Sequence, residues 1–186
     1  MKRSLISSLV SVAVGLGASS MAQAEFNLYG MNNSTVLKDG ELVLPSDYRS
    51  WPVFLNNIQR PDLKQIRDIY INKQGGYSSR PFAYGTTMVM ELHSVKLDAE
   101  VKPVPGADGK LQKAGLSKVF VMGKGAGWGQ AVPENQRNGE WIYSSFNAAG
   151  ASLGGDAKAC RDCHTPLKNN DFVARVPEYE ASRSSR

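Results

Sequence analysis

The chain has 186 residues, with 22 lysines and arginines against 17 aspartates and glutamates, a formal net charge of +5. That length suits a single domain with a packed core. The basic residues are scattered and form no stripe interleaved with aromatics, which argues against nucleic acid as a partner. Lys2 and Arg3 precede an apolar, small-residue run that closes on Ala22-Gln23-Ala24. A charged start, an apolar middle and an A-x-A end make a secretory signal, so residues 1–24 are expected to be removed and residues 25–186 to form one domain. Taking Lys2 and Arg3 from the 22 basic residues leaves 20 against 17, a charge of +3. Part of the excess therefore belongs to the targeting segment. The apolar run is short and broken by serines and glycines, and no later segment is long and apolar enough to span a bilayer. No stable membrane insertion is expected after cleavage, and the protein is expected in the periplasm.

Along the mature chain, residues 25–40 read as loop. Pro45-Ser46-Asp47 can start a short helix over YRSW, limited by Pro52. Residues 66–72, IRDIYIN, alternate and are rich in β-formers, so a strand is expected there. NKQGGYSSRPF reads as loop. Residues 85–97, opening GTTMVMELHSV, read as the second and longest strand. Alternation puts Met88, Met90 and Leu92 on one face and Val89, Glu91 and His93 on the other. VKPVPGADGKLQKAG is turn-rich and exposed. Residues 117–125 read as a third strand, ended by the glycines of GKGAGWGQ, and residues 140–146 as a fourth. GGDAKACRDCH reads as a short helix capped at Asp156, and the closing ASRSSR as a frayed tail. Strands first and helix last imply an α+β fold with a mainly antiparallel sheet.

The two cysteines, Cys160 and Cys163, are followed at once by His164. An exported protein with one cysteine pair usually has a disulfide, but C-x-x-C-H is the haem c attachment motif. The thiols add to the haem vinyl groups and the adjacent imidazole binds iron. A redox-active C-x-x-C would follow an early strand of a βαβ unit. A zinc site needs a fourth ligand and ordinarily a second paired motif. A plain disulfide leaves His164 unexplained. One covalently attached haem c is the expected cofactor, with His164 as a metal ligand. Residues 165–186 contain neither methionine nor histidine, so such a ligand on the other face of the iron must come from upstream. The candidates are Met31, Met88, Met90, Met122 and His93. Small all-helical cytochromes c carry their motif near the beginning, and this order excludes that fold.

KDGELVLPSDYRSW (38–51), QIRDIYIN (65–72), GTTMVMELHSV (85–95), EWIYSSF (140–146) and ACRDCH together resemble the cytochrome P-460 and cytochrome c′-beta superfamily. The resemblance implies a sheet packed on the haem, a C-terminal haem-attachment helix, a proximal histidine and a homodimer. Hydroxylamine-oxidising members carry a lysine, cross-linked to the macrocycle, before the glutamate of a G-T-x-M-V-K-E-like segment. Gas-binding members lack it and cap the site with aromatics. Here Met90 stands in the lysine's place, and no lysine lies between Lys73 and Lys96. The resemblance points residue 90 at the haem and makes Met90 the expected second metal ligand, with Met88 packing beside the ring. It also sets Arg67 over the distal haem or near its propionates, where a fixed positive charge raises the potential. Its other reading is a solvated strand arginine. His/Met ligation implies a one-electron carrier exchanging electrons with periplasmic redox proteins, not an enzyme. The alternatives are a five-coordinate protein binding nitric oxide or carbon monoxide, and a hydroxylamine-oxidising enzyme.

Overall fold

A computed structural model describes residues 36–73, 75 and 80–184. The expected signal segment 1–24, Met31 and residues 74 and 76–79 of the expected loop lie outside the described residues. Five strands, β1 (Val53–Arg60), β2 (Gln65–Ile71), β3 (Thr87–Val95), β4 (Lys113–Lys124) and β5 (Trp141–Asn147), form one antiparallel sheet in the order β1-β2-β3-β4-β5. Helix α1 (Lys158–His164) and helix α2 (Val176–Ser184) follow the last strand. The α+β architecture is the expected one.

Three local expectations are corrected. Strand β1 had no expected counterpart. Its sequence VFLNNIQR loses alternation at Asn56-Asn57, where the ladder bulges between Leu55 and Ile58. Asn57 takes a φ of 52° and gives its N–H to Asp68 Oδ1 at 2.8 Å. A side chain from the next strand, eleven positions away, thus completes what period-two patterning leaves out. The longest strand is β4, not β3. It begins at Lys113 because the intervening turn-rich segment folds as a hairpin arm, bridged at Leu97–Pro103 and Pro105–Leu111, that re-enters the ladder at Val95–Lys113. The tail expected to fray is helical to Ser184, since Val176 and Tyr179 are buried and Tyr179 stacks on Phe54 at 4.1 Å.

Other elements follow the sequence more closely. The expected first helix is a single 3-10 turn, Tyr48–Ser50. In α1, Asp156 Oδ1 accepts the Lys158 N–H at 2.9 Å, although the N-cap position itself is Ala157. Apolar side chains cover the sheet on both faces. Met88, Trp141, Tyr143, Phe54 and Ile71 meet Ala157, Val173, Val176 and Tyr179 on one side. Val89, Val119, Val121 and Ile142 meet Leu42, Tyr48 and Trp51 on the other. The sheet is therefore a wall with the haem-motif segment on one face and the segment before β1 on its back.

Candidate functional site

The strand registers arrange the Met88 face in rows. Ile71, Met88, Met122 and Tyr143 are successive cross-strand partners, and Ile69, Met90, Phe120 and Ser145 form the next row. Arg67 pairs with Leu92 one row further on. Directly opposed residues share a face, so Met88, Met90 and Arg67 project to the same side, the side that packs against Cys160 and Phe172. Met88 is buried and Met90 half-buried.

Helix α1 brings the motif to this face. Cys160 is half-buried, Cys163 exposed, and both are free thiols; burial pushes the Cys160 thiol up. Between them, Arg161 turns inward and is buried. It grips Asp39 through Nε at 2.7 Å and Nη2 at 2.8 Å and stands 5.3 Å from the centre of the Tyr143 ring. Asp162 turns outward to Lys158 at 2.6 Å. The His164 ring lies 5.3 Å from that of Tyr143. Its Nδ1 is 2.6 Å from the Phe172 carbonyl. A carbonyl only accepts, so Nδ1 carries the proton and the Nε2 lone pair is left for a metal. Burial lowers the pKa of His164 against a smaller opposing effect of that bond, which favours the neutral ring that metal binding requires.

The back of β3 is polar. Glu91 accepts hydrogen bonds from Tyr48 Oη at 2.6 Å and Arg49 Nε at 2.7 Å. His93 Nε2 lies 3.1 Å from Glu91 Oε2 and 3.3 Å from Asp68 Oδ2, and Lys113 pairs with Asp68. Ligand atoms of Asp68, Glu91 and His93 all fall within 4.8 Å of one another. Arg49 and Lys113 already balance the two carboxylates, so the arrangement is an ion network. Burial pushes Glu91 up, but the bonds from Tyr48 and Arg49 outweigh it and hold the carboxyl below its ordinary range. Burial likewise raises Asp68, and the Asn57 N–H and Lys113 overcome it. His93 and Glu91 thus face away from Met90, as alternation requires.

Several residues that shape the site have no local signal in the sequence. Asp39 reaches Arg161 across 122 positions. The Phe172 carbonyl is a backbone group, and Tyr143 reaches Asn138, which in turn reaches Thr165.

The donor set fits a c-type haem. Cys160 and Cys163 supply thiols and His164 a lone pair, on the face that carries two methionines. Among the described residues, the buried side-chain nitrogen and oxygen atoms without a hydrogen-bond partner are Arg67 Nε, Thr86 Oγ1 and Trp141 Nε1. Trp141 packs in the Met88 cluster, and Arg67 and Thr86 share that face by alternation. Orphaned buried polar atoms are costly, and their concentration on this face suits a partner bearing carboxylates. Residues 45–175 match the cytochrome P460 family. No curated protein matches the chain. Members of that family carry covalently bound c-type haem. The matched span contains the whole sheet and the attachment motif with its histidine, more than half of the chain, and on that ground the chain belongs to the cytochrome P460 family, with haem c as its cofactor.

Proposed function

We propose that the protein is a periplasmic one-electron carrier whose iron is held between His164 and Met90. The observation that carries this reading is the placement of Met90 on the Cys160-facing side of β3, between Ile69 and Phe120. The resemblance puts a cross-linking lysine at this position in the oxidising members. Haem iron supplies a ferric/ferrous couple, and a thioether ligand favours the ferrous form. The chain's own residues do the rest. Cys160 and Cys163 tether the ring, Arg161 and Asp39 fix the helix that carries them, and His164 is oriented by Phe172. Met90 would supply the second iron ligand and leave no open position for substrate, and Arg67 would contribute a fixed positive charge. Glu91 is turned to the back of the sheet and is no candidate base for substrate oxidation. Residues 1–24 are removed on export, and the mature chain works as a homodimer that exchanges electrons with redox proteins.

A second reading is favoured by Phe120, half-buried beside Met90 in the ladder. An aromatic there suits a five-coordinate iron that binds nitric oxide or carbon monoxide, with Met90 only packing. Met90→Ala separates the two. For a carrier, the variant becomes high-spin, its midpoint potential falls and it binds carbon monoxide far faster than the wild type. Rapid, tight carbon monoxide binding by the reduced wild type, unchanged in the variant, rejects the carrier.

A further inference from the structure

A buried ion pair stands behind the orientation of His164. Lys124 Nζ lies 2.7 Å from Asp171 Oδ2, with side chains 9% and 13% exposed. The same oxygen accepts the Phe82 N–H at 2.8 Å, and the ammonium sits 5.8 Å from the centre of the Trp141 ring. Asp171 and Phe172 are consecutive non-glycine residues at φ of 53° and 60°. Bulky residues hold that left-handed conformation only where their surroundings enforce it. The Phe172 N–H is tied back to the Leu167 carbonyl at 2.9 Å, and its ring packs against the Met88 cluster. The Phe172 carbonyl that this bend presents is the acceptor for His164 Nδ1.

We propose that Lys124 and Asp171 are positioning residues for the axial imidazole. The pair anchors the 171–172 bend to the end of β4, and the bend keeps the Phe172 carbonyl on the His164 Nδ1–H. A short bond at Nδ1 draws the proton toward the carbonyl and makes Nε2 a stronger donor, which stabilises ferric iron. The inference rests on His164 as an iron ligand and is independent of Met90. An ion pair that served stability alone would alter unfolding and leave the iron–imidazole bond unchanged.

The test uses the holoprotein with Lys124→Met/Asp171→Asn. Both charges disappear together, so the net charge near the site is conserved, and asparagine tolerates the left-handed conformation. The iron–histidine stretching band of the five-coordinate ferrous protein should move to lower frequency, and the midpoint potential should rise. Lys124→Arg should keep both at their wild-type values. The band is read in a Met90→Ala background if Met90 binds iron and in the otherwise native protein if it does not. Failure of the carrier reading therefore leaves this test intact. If that double variant does not fold, Lys124→Gln/Asp171→Asn, which also conserves the net charge and keeps a polar pair in place of the ions, should give a smaller shift in the same direction. An unchanged band and potential in folded variants, with only a lower melting temperature, overturns the proposal.

Discussion

Arg161 shows how one side chain inside a short motif decides where the motif sits. Its neighbours Cys160 and Cys163 are free thiols, half-buried and exposed, while its guanidinium points into the protein and spans two oxygens of Asp39. A bidentate, planar pair of this kind is geometrically specific. Removing one partner strands a buried charge, which costs roughly 3–5 kcal/mol. Asp39→Ala should therefore strongly lower the unfolding free energy of the holoprotein, read by denaturant titration, whereas Asp162→Ala, on the exposed side of the same helix, should change it by less than about 1 kcal/mol. Equal effects would show that Asp39 does not anchor the helix. Glu91 and Asp68 make a pH prediction at the same scale. Their folded pKa values lie below the unfolded ones, which are about 4.3 and 3.9. Their contribution to stability is complete above those values and is lost as pH falls through the depressed folded values. Chemical denaturation from pH 6 down to pH 2 should show that loss, and Glu91→Gln should flatten it.

At the scale of elements, the segment before β1 acts as a strap joining the sheet to the lead-in of α1. Gly40 gives its N–H to the Tyr143 carbonyl at 2.8 Å. It has a φ of +85°, and a Cβ there would lie 2.6 Å from the Gly155 Cα. Backbone cannot rotate away as a side chain can. Gly40→Ala combines a left-handed strain with this clash and should cost more than about 1 kcal/mol; thermal unfolding of the holoprotein checks it, and an unchanged midpoint would contradict the close approach. The elements also differ in how readable they are. Strand β2, β3 and β5 carry apolar residues at regular spacing, and α1 carries its motif, so local pattern suffices. Strand β1 is held by a bulge at Asn57 and by Asp68 from the next strand, and α2 exists because Tyr179 finds Phe54. Those are tertiary causes, and no window of local sequence contains them.

Across the whole molecule, a five-stranded wall separates two environments. One face gathers thiols, imidazole, methionines and orphaned polar atoms; the other gathers an ion network around Glu91 and His93. The alternation of GTTMVMELHSV is enough to assign Met90 and Glu91 to opposite sides, so the sidedness of the candidate site was legible before the fold. Its support was not, because Asp39, Lys124 and the Phe172 carbonyl reach the motif only through the folded chain. The methionine face also sets the choice between carrier and gas binder, since Met90 and Phe120 are ladder partners. The most direct measurement is the far-red absorption of the ferric wild-type protein beside that of Met90→Ala. The carrier predicts a sulfur-to-iron charge-transfer band in the wild type that disappears in the variant. A high-spin ferric spectrum without that band, or a band that survives loss of the Met90 thioether, would contradict it.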